Sequence, residues 1–455
     1  MEISKVDLVK NYIFNEVKSG KIKAGQRLPS CREISSKLGV NKITANKAYN
    51  ELEDEHRVYS IPRGGFYLVD SAQNSRDTED DLVDFCTVKP DEKLIPYREF
   101  AHVMNNAVDL YKGELFGYEH EGGLSSLRNT LKTEFEKDGV YTSSQQMIIT
   151  HGAQQALWLV LQSAFRTRNG KLLVESPTYS LVLDMARQLG VEAVGIEKKV
   201  DGFDYNAMEK IFRTGEIVCF YIIPRHHNPT GYSLSENDKL KIVKLSKKYE
   251  VLVIEDDYLA DLGSAKGFMP IHYYDTTKSS VYIKSFSKTF MPGIRTGVAV
   301  LPKSIYEDVL NLKHVSDLNT SLIPQAALDL FIKSGMYEKH IKKVRKSYEA
   351  KLRICDAIFK TSSCEDVSFH VPHHGIFLWL SLPFGVRGEE LENNLRHKGI
   401  LIKTATNCYP SNCFQGNDSV RLCISGVMEE RLNSLRTVIM EINNLRNKYS
   451  AKNHK

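Results

Sequence analysis

The sequence lacks two features that would assign it to common classes of protein. It contains no run of 18 apolar residues, and the stretch from Met1 to Lys18 is charged and amphipathic rather than apolar. Both absences argue against a membrane-spanning helix and against a secretory signal peptide. We therefore expect a cytoplasmic protein.

Cysteine patterns typical of metal or disulfide sites are also missing. The 8 cysteines include no C-x-x-C pair, although Cys408 and Cys413 come closest. No histidine cluster with zinc-ligand spacing accompanies them. Because structural zinc sites need such short paired spacings, the sequence predicts no metal site and thiols that stay reduced.

A strong charge imbalance is absent as well. The net charge is only +5, and residues 1–70 carry 12 lysines and arginines against 9 acidic residues. Any contact with DNA must therefore come from the local arrangement of side chains rather than from bulk charge. The length of 455 residues and an apolar fraction of 42% indicate an ordinary folded chain of two or three domains.

Residues 1–70 show the pattern of a small winged helix. Apolar residues at helical spacing predict a first helix over 5–18. An S-x-x-E capping box opens a second helix at Ser30, and a third helix begins near Asn41. Two short strands joined by a glycine-containing turn follow over 58–69. Three helices and a hairpin predict a winged helix-turn-helix domain.

The remainder of the chain predicts a linker and an α/β domain. Residues 71–84 are polar and hold 5 acidic residues against one arginine, which is typical of a linker. Short apolar strands then alternate with amphipathic helices, so we expect an α/β domain over 85–455 with a largely parallel sheet and a smaller α/β subdomain at about 324–455. The predicted strands are Met147–Thr150, Lys171–Val174, Ile217–Ile222, Val251–Ile254, Val281–Ile283 and Gly297–Val300.

The second and third predicted helices carry polar residues where a helix-turn-helix meets DNA. One helix of this motif lies across the DNA backbone, while the next places its first turn in the major groove. That first turn is Asn41–Thr44, and Arg32 in the preceding helix is placed to reach the same groove. The predicted wing turn, Arg63–Gly65, could approach the minor groove or the backbone.

The run Leu28–Leu52 closely resembles the GntR superfamily of regulators and reads L-P-S-C-R-E-I-S-S-K-L-G-V-N-K-I-T-A-N-K-A-Y-N-E-L. The resemblance implies DNA contacts by Arg32, Asn41, Lys42, Thr44 and Lys47, with help from the wing at Gly64. Position 42 holds lysine where the family usually has arginine, which disfavours bidentate guanine recognition there. Residues 53–56 are also more acidic than usual. The alternative is a helical dimerisation module that does not bind DNA.

A lysine with unusual surroundings lies at position 288. It stands in the segment S-F-S-K, and an arginine follows seven residues later. Pyridoxal phosphate requires a Schiff-base lysine, groups that hold its phosphate and groups that tune its ring. Lys288 is therefore the candidate catalytic lysine. The candidate phosphate ligands are Ser285, Ser287, Arg295 and, at a predicted helix start that favours anions, Ala153 and Gln154.

Residues suited to the cofactor ring are present in the same domain. Asp256, at the end of an apolar strand, can keep the pyridine nitrogen protonated. Asn228, in N-P-T-G, and Tyr258 can donate to the phenolic oxygen, and Tyr179 can cover the ring face. Arg421 can bind a substrate carboxylate through two parallel hydrogen bonds. Each residue alone has an ordinary structural explanation, but their order along one domain predicts a shared site.

The order and spacing of these residues resemble the fold-type I, class I/II aminotransferases over roughly 85–445. Tyr118 matches the tyrosine that, in that family, reaches the phosphate of the neighbouring subunit. The resemblance thus implies a homodimer with shared active sites. The segment Arg225-His226-His227 before Asn228 departs from the family pattern, and we interpret its histidines as structural or surface groups.

Both halves in this order resemble the MocR subfamily of GntR regulators, which join a winged helix-turn-helix to an aminotransferase-like domain. This resemblance implies a regulator whose binding to double-stranded operator DNA responds to pyridoxal 5′-phosphate or to an amino compound that reacts with it. One alternative is a working aminotransferase with an accessory DNA-binding domain. Another is a repressor whose second domain serves only dimerisation.

Overall fold

The computed structural model consists of two units. Contacts within the chain separate Met1–Leu82 from Val83–Lys455. The wing residue Arg63, Val69 and residues 71–81 of the predicted linker lie outside the described part of the chain. The described residues are 4–23, 25–55, 57–61, 64–68, 82–118, 121–263, 268–362, 367–411, 413 and 418–453.

Three helices and a hairpin form the N-terminal unit. The helices pack around one apolar core, and the two strands of the hairpin are antiparallel. This arrangement confirms the predicted winged helix-turn-helix. Its elements are α1 Lys5–Lys18, α2 Cys31–Leu38, α3 Lys42–Asp54, β1 Val58–Ile61 and β2 Gly65–Leu68. Its core residues include Val9, Ile13, Leu28, Ile34, Ala45, Ala48, Tyr49 and Leu52.

Local capping explains why the turn between α2 and α3 lies where it does. The predicted capping box is present, since Ser30 accepts from the Glu33 backbone and the Glu33 side chain accepts from the Ser30 backbone. Gly39 ends α2 with φ 63°, a left-handed conformation that glycine adopts without strain. Asn41 Oδ1 then accepts a hydrogen bond of 3.0 Å from the Ile43 N–H and begins α3.

The second unit alternates strands and helices along most of its length. Its strands are β3 Val83–Asp84, β4 Met147–Thr150, β5 Lys171–Ser176, β6 Ala193–Glu197, β7 Ile217–Ile222, β8 Leu252–Asp256, β9 Val281–Ser285, β10 Gly297–Val300, β11 Ser368–His370, β12 Phe377–Ser381, β13 Ile400–Leu401, β14 Lys403–Thr404 and β15 Ser419–Cys423. Its α-helices are α4 Tyr97–Tyr111, α5 Ser125–Lys137, α6 Ala153–Thr167, α7 Ser180–Gln188, α8 Tyr205–Arg213, α9 Glu236–Lys248, α10 Ile271–Tyr274, α11 Lys303–Asp317, α12 Leu322–Lys333, α13 Met336–Thr361, α14 Gly388–Arg396 and α15 Leu435–Asn453.

A seven-stranded sheet forms the centre of the larger domain. Its strand order is β4-β10-β9-β8-β7-β5-β6, and only β10 runs antiparallel to its neighbours. The prediction of a largely parallel sheet is therefore confirmed. Helices cover both faces, because apolar side chains of each strand project to either side. The carboxyl ends of β5, β7, β8 and β9 meet at one edge, where open α/β sheets bind ligands.

The smaller subdomain begins later than the predicted boundary at 324. That position lies inside α12, whose Ala327, Leu328 and Phe331 pack in the core of the larger domain. The long helix α13 connects the two cores, since its C-terminal half, from Leu352, packs in the subdomain core. Helical periodicity alone did not show which core buries the apolar face of α12. The subdomain sheet has the order β11-β12-β15-β14.

The end of the predicted linker, 71–84, also needs correction. Val83 and Asp84 form β3, which pairs in parallel with β13. Phe85 follows in the subdomain core. Two residues at the end of an acidic run are too few to show strand periodicity, so only the distant partner strand defines this element.

No described helix is long and apolar enough to cross a membrane. None of the seven cysteines that the structure describes forms a disulfide bond.

Candidate cofactor and DNA-binding sites

One cavity lies at the carboxyl ends of β8 and β9. It encloses about 150 Å³. Val88, Leu157 and Ile223 contribute to its lining and were not identified from the sequence. The predicted site residues that line it are Lys288, Ala153, Gln154, Tyr179, Asn228, Asp256, Tyr258, Ser285, Ser287, Arg295 and Arg421. The fold therefore brings together every predicted cofactor and substrate residue except Tyr118.

Asp256 presents a buried carboxylate oxygen to this cavity. Its Oδ2 accepts a hydrogen bond of 2.8 Å from the hydroxyl of Tyr221, a buried residue of β7. Its Oδ1 is buried and has no hydrogen-bond partner among the described residues. Burial raises the pKa of Asp256 to about 7. A cationic N–H at Oδ1 would supply the missing partner and favour the ionised form.

Lys288 lies just after β9, with its amine in the same cavity. Its Nζ donates a hydrogen bond of 2.8 Å to the carbonyl oxygen of Val88. Burial lowers the pKa of Lys288, and the nearby guanidinium groups of Arg295 and Arg421 act in the same direction. The amine therefore loses its proton, and becomes nucleophilic, more readily than an exposed lysine.

Close backbone packing shapes the end of the cavity near α6. Gly152 precedes α6 with φ 81°, and a Cβ built on Gly297 would lie 2.5 Å from the Gly152 carbonyl carbon. Glycine at position 297 therefore lets β10 approach the start of α6. Arg295 donates a 3.1 Å hydrogen bond from Nη2 to the His151 carbonyl. Backbone N–H groups of α6 and this guanidinium form a surface suited to a phosphate.

The two serines and Tyr179 complete the cofactor side of the cavity. Ser285 and Ser287 are both buried, and the Ser287 N–H donates to Ser285 Oγ at 3.2 Å. Gln154 Nε2 donates to the Tyr179 hydroxyl oxygen at 3.0 Å, which orients the aromatic ring. Burial raises the pKa of Tyr179, so this residue stays a neutral phenol.

Arg421 and Tyr258 make contacts that the sequence did not indicate. Arg421 Nη1 donates to Asn228 Oδ1 at 3.3 Å, and Nη2 donates to the Cys86 carbonyl at 2.8 Å. Its Nε is buried without a partner among the described residues, which leaves a donor for a ligand anion. The Tyr258 hydroxyl donates to the His226 carbonyl at 2.7 Å. Its only proton is therefore directed away from the predicted phenolic-oxygen contact in this structure.

A buried charged cluster lies beside Asn228. Glu175, near the end of β5, lies 2.5 Å from Lys198 Nζ and 3.0 Å from His227 Nε2. It also accepts a hydrogen bond of 2.8 Å from the Ile223 N–H. Burial opposes its ionisation, but His227 and Lys198 lower the pKa of Glu175 overall. The cluster connects the carboxyl ends of β5, β6 and β7 next to the segment that carries Asn228.

Both histidines of the unusual Arg225-His226-His227 segment are buried. Burial lowers the pKa of His226 to about 4, so its ring is neutral. Arg225 forms a buried ion pair with Asp257. The structural interpretation of these residues therefore agrees with their contacts, and the surface alternative is wrong.

The predicted DNA-contacting residues lie on α2, on or just before α3, and at the wing. Arg32, Asn41, Lys42 and Lys47 are exposed, whereas Thr44 is half-buried. The Asn41 side-chain oxygen is already used in capping α3. At the wing, the Gly64 N–H donates to the Ile61 carbonyl at 2.8 Å, and a Cβ on Gly64 would lie 3.0 Å from Ile61 Cβ. These positions remain predicted DNA contacts.

Family comparisons assign both units. The model of the bacterial regulatory proteins of the gntR family matches residues 5–68, and the model of aminotransferase class I and II matches residues 83–439. The chain belongs to the GntR regulators that carry an aminotransferase class I and II domain. The resemblance to the MocR subfamily is thus confirmed.

Individual relatives support the same assignment. The chain is 36% identical to the uncharacterized HTH-type transcriptional regulator YcxD of Bacillus subtilis, over 89% of this chain and 92% of that protein. It is 26% identical to the HTH-type transcriptional regulator NorG of Staphylococcus aureus, over 78% of this chain and 86% of NorG. Like its relatives, the chain is a DNA-binding transcription regulator with an aminotransferase-like domain.

Solved structures share the fold of the second unit. LysN, an α-aminoadipate aminotransferase from Thermus thermophilus, superposes with a TM-score of 0.73 at 22% identity and covers 83% of this chain and 96% of its own. A kynurenine aminotransferase from Pyrococcus horikoshii superposes with a TM-score of 0.74 at 23% identity and covers 87% of this chain and 99% of its own. At these identities the likeness establishes the fold alone.

The family assignment makes pyridoxal 5′-phosphate the cofactor of this domain, and the cavity fits it. No described residue is a hydrogen-bond partner of Asp256 Oδ1, and a protonated ring nitrogen would supply one. The close approach of β10 to the start of α6 leaves backbone donors and Arg295 for a phosphate. Lys288 provides an amine in the same cavity.

Two contacts near this site were not predicted from the sequence. Tyr221 donates to Asp256 from within the apolar run I-V-C-F-Y-I, where a tyrosine in a buried strand signals a partner for its hydroxyl. The pairing of Glu175 with Lys198 gave no local signal, because 23 residues separate them.

Tyr118 lies outside the cavity and is 75% exposed.

Proposed function

We propose that this regulator senses pyridoxal 5′-phosphate, or an amino compound that reacts with it, through the cavity at the edge of its large sheet. The observation that carries this proposal is that residues able to bind every part of the cofactor line one cavity. The other unit of the same chain belongs to a DNA-binding family. A ligand that changes the aminotransferase-like unit can therefore alter binding to operator DNA, provided that it binds two conformations with different affinity. The cytoplasm, where the DNA lies, is the proposed location.

Each residue of the cavity has a distinct proposed role. When bound, the cofactor supplies an electrophilic carbon for amines and an electron-withdrawing ring. Lys288, whose amine has a lowered pKa in this cavity, would be the residue that holds the cofactor covalently. Asp256 holds a proton on the ring nitrogen through Oδ1, and Tyr221 keeps that carboxylate in place. Tyr179 covers the ring face, and Asn228 presents its amide to the phenolic oxygen.

Arg421 gives the site its proposed preference for amines that bear a carboxylate. Its Nε has no hydrogen-bond partner among the described residues and can therefore donate to a ligand, while Asn228 and the Cys86 carbonyl hold the rest of the guanidinium. The centroid of the Phe377 ring lies 4.9 Å from the Arg421 guanidinium carbon, and this contact further restricts the orientation of the guanidinium. A fixed guanidinium loses little conformational entropy when it binds a carboxylate.

We also propose that the site is completed in a homodimer. Arg295, at the phosphate end, is exposed, and Tyr118 is 75% exposed outside the cavity of its own chain. Leu110, Phe116 and Val315 are exposed apolar side chains, which suits burial against a second copy. Analytical ultracentrifugation tests this proposal, and Tyr118→Phe should weaken cofactor binding if Tyr118 reaches the partner's phosphate.

A working aminotransferase is the second candidate, and the complete residue set of the cavity favours it. A regulator needs only amine exchange and a conformational difference, whereas an enzyme must also release keto acid over many turnovers. Keto-acid production across a panel of amino donors and acceptors distinguishes the two. Turnover of about 1–1000 per second would support the enzyme.

The central experiment combines two measurements on the full chain. The visible spectrum is recorded with pyridoxal 5′-phosphate, and amines are titrated while binding to the DNA upstream of the protein's own gene is followed. We expect a spectral change and a change in DNA affinity at the same amine concentration. A spectral change without any effect on DNA affinity would contradict the sensing proposal.

A further inference from the structure

Ile43 stands out among the apolar side chains of the N-terminal unit. It lies in the first turn of α3, and 77% of its surface is exposed. The other exposed large apolar residues described between 4 and 68 are only 41–42% exposed: Leu8, Tyr59 and Ile61. Meanwhile Ala45, Ala48, Tyr49 and Leu52 bury the opposite face of α3. The exposed side chain of Ile43 therefore contributes little to the core, and a polar residue at this position would not destabilise the fold.

Charge around Ile43 indicates what kind of molecule covers it. Arg32, Lys42 and Lys47 form no ion pair with any described residue. By contrast, Lys10, on α1, pairs with Glu51 and Glu55 at the other end of α3. The positive partial charge of the α3 N-terminus also has no acidic side chain in the first turn to offset it. Lys42, next to Ile43, and Lys47, one turn later on α3, together with the unopposed helix dipole suit a polyanion.

The backbone at Ile43 is held in place by the helix cap. Its N–H donates to Asn41 Oδ1 at 3.0 Å, so this group is not available to a phosphate. What Ile43 presents outward is therefore only a branched apolar side chain with few rotamers. In the major groove, the apolar group on the edge of a base pair is the C5-methyl group of thymine.

We propose that the Ile43 side chain makes an apolar contact with the C5-methyl group of a thymine in the operator and so recognises that base. The proposal rests on the DNA-binding role of this unit and adds a specificity-determining residue to it. Lys42 and Lys47 supply contacts to phosphates, which carry no sequence information, whereas Ile43 discriminates thymine from cytosine by its methyl group. Burial of one methyl group against the isoleucine is expected to change affinity about fourfold in each half-site.

The test removes single methyl groups from DNA. Sequences that bind the full-length protein are first selected from random double-stranded DNA, and each thymine of the selected site is then replaced by deoxyuridine. We expect wild-type protein to lose about fourfold in affinity at one thymine of each half-site. Ile43→Ala should bind the thymine and deoxyuridine sites equally well at that position. Alanine is a better helix former, so this variant should fold.

Two controls separate methyl recognition from other effects. Leu8→Ala, an equivalent truncation on α1, should keep the full thymine dependence. Ile43→Ala should leave the slope of affinity against salt unchanged, whereas Lys42→Ala should reduce it if Lys42 contacts a phosphate.

Two results would overturn the inference. One is wild-type binding that is insensitive to every thymine-to-deoxyuridine replacement, and the other is an Ile43→Ala variant with the same dependence as the wild type. Either would leave the DNA-binding role intact. If the wild type selected no sequence and bound no DNA at low salt, the DNA-binding role itself would fail and the inference with it.

Discussion

The electrostatics of the cofactor cavity can be tested through Asp256 in the cofactor-free protein. Its carboxyl is buried and, among the described residues, accepts a hydrogen bond from the Tyr221 hydroxyl alone; burial raises its pKa from 3.8 to about 7. A carboxyl with a raised pKa binds its proton more tightly in the folded state than in the unfolded state. Folded protein therefore loses stability as the pH rises from about 4 to about 7, and the loss is complete above the folded pKa. Asp256→Asn removes this dependence.

The size of the effect follows from the two pKa values. A shift of about 3 units corresponds to roughly 4 kcal/mol of lost stability at pH 8, but only about 1 kcal/mol is lost at pH 4.5. The stability gained by Asp256→Asn should thus be about 3 kcal/mol larger at pH 8 than at pH 4.5. A buried amide without a partner costs about 1–3 kcal/mol, but this cost is the same at both pH values and cancels in the comparison.

Urea unfolding followed by tryptophan fluorescence provides the measurement. Both tryptophans, Trp158 and Trp379, lie in the unit that holds Asp256, so the signal reports on that unit. Asp204→Asn serves as a control, because it caps α8 and asparagine caps as well as aspartate. If Asp256→Asn gained equal stability at both pH values, or more at pH 4.5, the pKa of Asp256 would not be raised in the folded protein. With cofactor present, Asp256→Asn should instead weaken cofactor retention.

Four further predictions concern other residues. Lys288→Ala should abolish covalent trapping of the cofactor by borohydride, which peptide mass spectrometry detects; trapping on another lysine would contradict the assignment. Arg421→Ala should remove the spectral response to carboxylated amines while cofactor binding persists, as absorbance titration shows. Lys198→Met leaves Glu175 buried without the lysine cation. This change should lower the free energy of unfolding, measured with urea, by about 3–5 kcal/mol, and adding Glu175→Gln should restore part of the loss. Arg32→Ala should weaken specific DNA binding by about 1–3 kcal/mol in fluorescence anisotropy if it contacts a base; an unchanged affinity would exclude that contact.

Local signals in the sequence predicted most elements around the site. The strands β4, β7 and β10 have the predicted bounds, because apolar runs bounded by polar or turn residues mark buried strands. The capping box at Ser30 was likewise readable, since its donors and acceptors lie within four residues. By contrast, β6 was missed. It is an edge strand with Gly195 at its centre, so neither a continuous apolar run nor strict alternation marks it.

Motif order also sufficed to identify the polar residues that line the cofactor cavity, but neither its apolar lining nor what each residue contacts. Lys288, Asp256 and Arg421 were recognisable because each stands in a short pattern that suits its chemistry. The contact of the Tyr258 hydroxyl with the His226 carbonyl was not, because it depends on how the segment after β7 packs against the segment after β8. Side-chain direction depends on packing that no local pattern records.

The sequence by itself thus determined the two units, their order and the chemical groups of the cavity. Only the tertiary structure decided where charge is buried. Glu175 and Lys198 lie on neighbouring strand ends and form an ion pair with both side chains fully buried. Asp256 acquires its raised pKa because the surrounding strands exclude water from it. Burial is a property of all the elements that surround a residue, and those elements are distant in the chain, so no local sequence pattern can report it.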